Sequence, residues 1–289
     1  MQIRKAVIPA AGMGTRFLPI TKSVPKELLP ILDKPMLQYV VEEAAQAGVE
    51  HIILVVSPDK ESVAEYFKPA PGLESRLNDS GVPNLAQKVH AATNLAQVTT
   101  VIQEQPLGLG HAVLMAKEAV GDEPFVVILP DDIIDPPDNR PGAIAQMLDV
   151  FNHHGGGVVA VEPMPWDTVS NYGIVDSAAV TDRISRIRGL VEKPARDEAP
   201  SNLAIVGRYI LPPAIFDCLE RTNPGAKGEI QLTDGLLLLL ESSELFAFEF
   251  EGRRFDGGTP MGLLRAAVAF GLAREDTRQD VRSILKEFG

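Results

Sequence analysis

PAAGMGTR, residues 9–16, is the stretch that decides the fold, and Pro25-Lys26-Glu27 follows it closely. The apolar run before it, Ile3 to Ile8, predicts a buried strand that ends in small residues and glycines. Glycine has no Cβ, so it can adopt positive φ and expose its backbone N–H to an anion. Arg16 offers a planar fork of donors that suits phosphate oxygens, and Lys26 offers a compact point charge. The stretch therefore predicts a phosphate-contacting loop.

The glycine spacing does not match two common phosphate-binding patterns. No glycine completes a dinucleotide fingerprint, and no Gly-Lys-Ser/Thr ends a P-loop. Taken alone, a glycine-rich turn after a strand indicates only a tight turn. Its combination with Arg16, Thr21, Lys22 and the Pro-Lys-Glu triplet favours phosphate binding.

Composition limits the classes of protein that need to be considered. The 289 residues are 45% hydrophobic and 23% charged, which is typical of a globular protein. A formal net charge of -12 argues against nonspecific binding to nucleic acid polymers or to anionic membranes. Cys218 is the single cysteine, so no intrachain disulfide is expected. We find no signal peptide and no membrane-spanning apolar run, and we expect a cytoplasmic protein.

Strand-like and helix-like segments alternate in the first half of the chain. Helices are predicted over residues 36–47 and from a cap at Asp59 to Phe67, and strands over residues 51–56, 99–103 and 124–129. Residues 69–83 are rich in breakers and predict a loop with room for one short helical turn. This rhythm predicts an α/β fold with a mostly parallel, Rossmann-like sheet and right-handed crossovers. Ligands bind beyond the carboxyl ends of such strands, where the Gly12 loop and Asp131 both lie.

Short strands follow one another after Gly155 and predict mixed or antiparallel additions to the sheet. Helices are expected over residues 231–240, 261–272 and 276–288. We therefore predict one catalytic domain, residues 1–257, and a C-terminal helical segment, residues 258–289, that serves in oligomerisation.

Six further short motifs occur along the chain. Their combination identifies a protein family more specifically than any single motif does. They are GLGHA (108–112), LPDD (129–132), NYGIVD (171–176), VEKP (191–194), NLAIVGRYIL (202–211) and GEIQLTD (228–234). With PAAGMGTRFLPITKSVPKELLP, residues 9–30, they make the chain similar to the sugar-1-phosphate nucleotidyltransferases, in the version that uses UTP and glucose 1-phosphate. The resemblance implies a glycosyltransferase-A-like nucleotidyltransferase fold. It also implies transfer from UTP to glucose 1-phosphate, giving UDP-glucose and pyrophosphate, with Mg²⁺ as cofactor.

The resemblance assigns roles to positions that match the family motifs. The implied catalytic residues are Arg16, Lys26, Asp131 and Lys193. The implied nucleotide-binding residues are Ala10, Ala11, Gly12, Gly14, Glu27, Gln103 and Gly108. The implied sugar-binding residues are Gly173, Glu192 and Val206, and the implied metal ligands are Asp131 and Asp256. The link between Asp131 and Asp256 rests on the resemblance alone.

Two details of the site follow from residue chemistry. A uracil ring needs an acceptor for N3–H and a donor for O4, so Glu27 is expected to accept and Gln103 or a backbone N–H to donate. Successive side chains of a strand point to opposite faces, so Glu192 and Lys193 could not share a pocket on a regular strand. The resemblance implies that both lie at the sugar phosphate, Glu192 on the hydroxyls and Lys193 on the phosphate, and we therefore predict a backbone distortion before Pro194.

Two alternatives remain at this point. One is a thymidylyltransferase that uses dTTP, although those enzymes usually carry Leu-Ala-Gly-Gly and Lys-Gln in place of the motifs here. The other is a non-catalytic binding or regulatory protein on the same scaffold, which would be expected to lose the metal aspartates or Lys26. Neither loss is found. We also expect a homo-oligomer, either a dimer or a tetramer.

Overall fold

The computed structural model describes residues 2–138, 140–225 and 228–289, and a central sheet runs through it. Within these residues nine strands form the sheet, in the order β5-β4-β1-β6-β11-β8-β12-β10-β9, with β11 also pairing with β9. The strands are β1 (Lys5–Pro9), β4 (His51–Val56), β5 (Gln97–Ile102), β6 (Phe125–Ile128), β8 (Gly157–Pro163), β9 (Gly173–Ala179), β10 (Ile184–Glu192), β11 (Leu203–Leu211) and β12 (Leu245–Glu249).

The sheet is parallel in its N-terminal half and largely antiparallel beyond it. β5, β4, β1 and β6 run parallel, whereas β11 pairs antiparallel with β6, β8 and β9. β12 is parallel to β8 and antiparallel to β10. The predicted mixed α/β sheet is confirmed, and the strands added after Gly155 supply the antiparallel part.

Helices cover both faces of the sheet. They are α1 (Met36–Gln46), α2 (Ser62–Glu65), α3 (Pro71–Asp79), α4 (Pro83–Thr93), α5 (Leu109–Met115), α6 (Lys117–Val120), α7 (Ala143–His154), α8 (Ala214–Arg221), α9 (Leu232–Leu239), α10 (Pro260–Ala273) and α11 (Arg278–Phe288). On β4, Ile52 and Leu54 belong to one core together with residues of α1 and α7, while Ile53 and Val55 belong to the core on the other face together with residues of α5, α8 and α9. The apolar run of β4 is therefore continuous because both of its faces are buried.

Two predictions for the segment after β4 are wrong. Residues 69–83 contain the nine-residue helix α3 and the start of α4 instead of a loop with one short helical turn, because Pro71 and Pro83 occupy first-turn positions that need no N–H donor. Asp59 does not cap a helix, because its carboxylate accepts a hydrogen bond from Ser57 Oγ at 2.6 Å and α2 begins only at Ser62.

Two short antiparallel ribbons stand apart from the main sheet. In one, β2 (Pro30–Ile31) pairs with β3 (Lys34–Pro35), and in the other, β7 (Asp132–Asp135) pairs with β13 (Arg253–Asp256). The register of the second ribbon places Asp256 opposite Asp132. This pairing brings the C-terminal part of the chain to the carboxyl end of β6.

The C-terminal helices differ in their packing. α10 joins a small core with Ile31, Met36, Ile133 and Phe255, whereas α11 buries no residue and leaves Ile284 and Phe288 exposed. The domain boundary after residue 257 and the role of the last segment in oligomerisation stay predictions. None of the described helices combines the length and apolar character needed to cross a membrane.

The tip of the β2–β3 hairpin is tied to α4 and α10 by ion pairs of Asp33. Its carboxylate accepts from Arg274, at the end of α10, and lies 3.2 Å from Lys88 Nζ on α4. The hydrogen bond from Arg274 lowers the pKa of Asp33 from 3.8 to about 2. A lowered pKa stabilises the fold above the unfolded value, and this contribution is lost as the pH falls from 3.8 toward 2.

We therefore expect Asp33→Asn to lower Tm by about 1–3 °C at neutral pH, since the pair is exposed and screened. The difference from the unsubstituted protein should shrink as the pH falls below 4. Thermal unfolding followed by circular dichroism at several pH values measures it. Asp167→Asn is the control, because Asp167 makes no ion pair with any described residue. A Tm difference that stays constant down to pH 3 would contradict the expected linkage.

Candidate active site

A crevice of about 580 Å³ lies beyond the carboxyl ends of the parallel strands. Six residues predicted for the site line it: Arg16, Asp131, Gly173, Glu192, Lys193 and Asp256. A larger cavity, about 860 Å³, lies between α1, α4 and the end of α10 and is lined by none of the predicted site residues. We place the candidate active site in the smaller crevice, because the charged side chains converge there.

Asp131 and Asp256 converge on one point at an end of the crevice. A Cβ added to Gly258 would lie 2.9 Å from Asp131 Oδ2, 3.0 Å from Asp256 Oδ1 and 3.3 Å from Arg16 Nη1. Gly258 therefore leaves open the space between the two carboxylates. The Asp256 carboxylate also accepts a hydrogen bond from the N–H of Gly258 at 3.0 Å.

Lys26 forms an ion pair with the first of these carboxylates. Its Nζ lies 2.6 Å from Asp131 Oδ2. Burial would raise the pKa of Asp131, but the charge and hydrogen bond of Lys26 outweigh burial and hold that pKa below 3.8. Burial would likewise lower the pKa of Lys26, and Asp131 raises it above 10.5. Both side chains are therefore charged at neutral pH.

Asp132, the second aspartate of the pair, has a structural role. Its Oδ2 accepts from the N–H of Gly207 at 3.0 Å, and its Oδ1 accepts from Arg254 Nε. Burial raises the pKa of Asp132, against the charge of Arg254. Asp132 therefore ties the β7–β13 ribbon to β11.

The glycine-rich loop offers unused backbone donors. The N–H of Ala10 donates to the carbonyl of Val55 at 2.7 Å, but those of Ala11, Gly12 and Met13 donate to no acceptor among the described residues. A Cβ on Gly12 would meet no atom of the described residues within 4 Å. Gly14 has φ 65° and packs against Lys26 and Thr21. Adjacent free N–H groups of this kind form an anion-binding concavity.

The GLGHA loop packs against a distant segment of the chain. Gly108 has φ 100°, and a Cβ there would lie 2.7 Å from the carbonyl oxygen of Ile230. Gln103 is buried, and its Nε2 lies 2.8 Å from His111 Nδ1 and donates to the Gly108 carbonyl at 3.4 Å. Glycine is therefore required at position 108 by the fold itself. Contact of Gln103 or Gly108 with a base stays a prediction.

The predicted backbone distortion before Pro194 is confirmed. β10 ends at Glu192, and Lys193 has φ 46°, a left-handed conformation that side chains rarely adopt. Lys193 Nζ consequently lies 2.9 Å from Glu192 Oε1, and both residues line the crevice. Thr233 Oγ1 donates to Glu192 Oε2 at 2.7 Å and holds this carboxylate.

Gly173 and Val206 lie at the same end of the crevice. A Cβ on Gly173 would lie 3.2 Å from both Glu192 Oε2 and Thr233 Oγ1, so a larger residue would press on this carboxylate. The Val206 side chain is 1% exposed and packs into the core, whereas its neighbours Ile205 and Gly207 line the crevice. Only the backbone of Val206 is therefore available to a sugar.

The fold and this arrangement of charges can be compared with known proteins. A family model described as nucleotidyl transferase matches residues 5–271. The chain belongs to the nucleotidyl transferase family.

Relatives within the family resemble this nucleotidyl transferase over its whole length. A UTP–glucose-1-phosphate uridylyltransferase of Staphylococcus epidermidis is 43% identical over 286 residues, 99% of this chain and 98% of the relative. The enzyme of the same name from Bacillus subtilis is 43% identical over 97% of this chain and 95% of its own.

Solved structures agree with these relatives. A UDP-glucose pyrophosphorylase complexed with UDP-glucose has a TM-score of 0.86 at 40% identity, covering 94% of this chain and 100% of its own. A UTP-bound enzyme from Acinetobacter baumannii has a TM-score of 0.91 at 38% identity, covering all of both chains. A putative glucose-1-phosphate thymidylyltransferase from Bacillus anthracis scores lower, 0.71 at 25% identity, over 92% of this chain and 94% of its own.

The prediction that Glu27 contacts the uracil base must be corrected for this nucleotidyl transferase. Its side chain is 0% exposed, and both carboxylate oxygens accept from Lys60 Nζ, at 3.2 and 3.0 Å. Burial raises the pKa of Glu27, against the charge of Lys60. The predicted acceptor for uracil N3–H is therefore enclosed by protein, and Glu27 has no surface from which to contact a base.

Sequence reasoning missed Lys60, Thr233 and Arg254. Lys60 lies four residues after β4, beyond the carboxyl end of the strand next to β1, and this position was the available signal. Thr233 belongs to the GEIQLTD motif, which was noted without a role. Arg254 lines the crevice and contacts the ring of Tyr172 at 5.6 Å from its centroid, and only the β7–β13 register brings it there.

Proposed function

We propose that the protein transfers a uridylyl group from UTP to glucose 1-phosphate, giving UDP-glucose and pyrophosphate. The observation that carries this proposal is a single crevice with two charged parts. One part holds Arg16, Asp131 and Asp256, and the other holds Glu192 and Lys193 at the distorted end of β10. Relatives that cover the whole chain carry the name of this activity.

The reaction joins two polyanions and needs no strong general base. An oxygen of the sugar phosphate forms a bond to the α-phosphorus of UTP, and the bond to the bridging oxygen of pyrophosphate breaks. The attacking phosphate is already ionised at neutral pH, so catalysis depends on positioning and on charge neutralisation. Arg16 is proposed to stabilise the leaving pyrophosphate, Lys26 the α-phosphate, and Lys193 the phosphate of glucose 1-phosphate.

Asp131 and Asp256 are proposed to hold Mg²⁺, and the family generally uses a divalent metal. Their donor set fits this ion, since Mg²⁺ is usually bound by one or two carboxylates together with substrate phosphates and water. The open space at Gly258 lies within 3.0 Å of an oxygen of each carboxylate. When bound, the ion would neutralise charge on the two reacting phosphates.

The sugar is proposed to bind in the crevice, and the nucleotide beside it along the glycine-rich loop, whose residues 10–14 do not line the crevice themselves. The free N–H groups of Ala11 and Gly12 would donate to the triphosphate, with Ala10 and Gly14 shaping the loop. Gln103 and Gly108 would face the uracil. In the crevice, Glu192 would accept hydrogen bonds from sugar hydroxyls while Gly173 and the backbone of Val206 lie against the ring.

The test is a pyrophosphate-release assay with glucose 1-phosphate and each nucleoside triphosphate, with Mg²⁺ and with EDTA. We expect UTP to be used fastest and EDTA to abolish release. Faster release with dTTP would instead indicate the thymidylyltransferase. No release with any nucleotide, from protein shown to be folded, would leave the non-catalytic binding protein.

A further inference from the structure

Lys60 is a buried cation beneath the glycine-rich loop. The residue is 7% exposed, and it is not among the residues that line the crevice. Its Nζ donates to the carbonyl oxygens of Ala10, at 3.0 Å, and of Gly12, at 2.5 Å, as well as to Glu27. One ammonium group thus holds two carbonyls of the loop and one carboxylate from a separate segment.

The two carbonyl contacts fix the direction of the loop's backbone donors. A trans peptide is planar, so the C=O of one residue and the N–H of the next point in opposite directions. When the carbonyls of Ala10 and Gly12 point toward Lys60, the N–H groups of Ala11 and Met13 must point away from it. Neither of these N–H groups has an acceptor among the described residues. Lys60 therefore aims both at whatever anion occupies the loop.

Through its contact with Glu27, the Lys60 ammonium also acts on the neighbouring residue Lys26, a predicted catalytic residue. Glu27 follows Lys26 in a short 3-10 turn, and Lys26 reaches Asp131 from the other side of this turn. The ion pair between Lys60 and Glu27 consequently sets the distance between the loop and the turn that carries Lys26.

We propose that Lys60 is a positioning residue for the nucleotide: it orients the N–H groups of Ala11 and Met13 toward the triphosphate and, through Glu27, fixes the turn of Lys26. Lys60 itself does not touch the substrate. This inference rests on the proposed role of the loop in binding UTP.

Lys60→Met tests the proposal, because methionine is of similar length and carries no donor. We expect Kd for UTP, measured by calorimetry without the second substrate, and KM for UTP to rise roughly 10- to 100-fold. KM for glucose 1-phosphate should change less than about threefold, since the sugar end of the crevice is untouched.

Lys5→Met is the matched control. Lys5 begins β1 at its opposite end, and its Nζ also binds a carbonyl, Val120 at 2.7 Å, and a carboxylate, Glu123 at 2.8 Å. The Lys5→Met variant should lower Tm without changing KM for UTP. If Lys60→Met behaves in the same way, or raises both KM values equally, the positioning role is overturned.

Two further variants separate this inference from the proposed function. Gly14→Ala forces a side chain into the left-handed loop position, where its Cβ would lie 3.1 Å from Lys26 Cβ. If Gly14→Ala leaves Kd for UTP unchanged, the loop does not bind the nucleotide and the proposed site fails. If Gly14→Ala weakens UTP binding and Lys60→Met does not, only the inference about Lys60 fails.

If Lys60→Met does not fold, Glu27→Gln replaces it as the test. Glu27→Gln should raise Kd for UTP, by less than the rise expected for Lys60→Met. No rise in Kd overturns the proposal.

Discussion

Lys26→Ala is expected to lower kcat by roughly a hundredfold or more, the usual scale for losing a preorganised charge contact. Lys26 remains charged at neutral pH because Asp131 raises its pKa, and its Nζ stands 2.6 Å from that carboxylate. Alanine removes the cation assigned to the α-phosphate and leaves Asp131 without its partner. Steady-state kinetics with saturating UTP and glucose 1-phosphate measure the loss, and Tm shows whether the fold is kept.

Lys34→Ala is the control for this variant. Lys34 lies on the following hairpin strand, and its Nζ pairs with Glu42 at 2.8 Å, away from the crevice. Both variants lose one lysine and one ion pair, so a difference in kcat reports the location of the charge. Near wild-type turnover by Lys26→Ala would refute its role.

Asp131→Asn is expected to lower kcat by roughly a thousandfold, because a ligand charge for Mg²⁺ and the partner of Lys26 are lost together. The Mg²⁺ concentration needed for half-maximal rate should rise as well. A titration of kcat with Mg²⁺ measures both effects. Asp135→Asn, at the end of strand β7, which directly follows Asp131, lies outside the crevice and serves as the control; it should keep the wild-type Mg²⁺ dependence.

Gly258→Ala tests the same site without altering any charge. The added methyl group would lie 2.9 Å from Asp131 Oδ2 and 3.0 Å from Asp256 Oδ1, in the space assigned to the ion. We expect a higher Mg²⁺ requirement than for Gly189→Ala, whose Cβ would make an ordinary contact of 3.8 Å with Asp176 Cβ. An unchanged Mg²⁺ dependence in Gly258→Ala would argue against an ion between these carboxylates.

The elements that sequence predicted well are those with a strong local signal. The β-branched run of residues 51–56 is β4 with the same bounds, since a strand buried on both faces needs apolar residues throughout. The distortion at Lys193 was predictable because the family resemblance places Glu192 and Lys193 in one pocket, which side-chain alternation forbids on a regular strand. α3 was missed because its polar sequence, PGLESRLND, offers only the pair Leu73 and Leu77 at helical spacing and buries no residue.

Contacts between distant segments could not be predicted from local signals. The role of Glu27 depends on Lys60, which encloses it from beyond another strand, and nothing in Pro25-Lys26-Glu27 indicates this partner. The approach of Asp256 to Asp131 depends on the register of β7 with β13, and the sequence suggested it only through family resemblance. Arg208 is a further example: it is the one charged residue of an apolar strand, and in the structure it is fully buried and forms an ion pair with Glu43.

The β7–β13 ribbon has a consequence for the timing of activity during protein synthesis. Asp131 leaves the ribosome well before Asp256, which lies near the C-terminal end of the chain and reaches its place only when β13 pairs with β7. Synthesis proceeds from the N-terminus, so the glycine-rich loop and the parallel strands emerge from the ribosome first. A nascent chain, or one that ends before β13, would then carry the glycine-rich loop and Asp131 but would be inactive, because the second proposed metal ligand has not been translated.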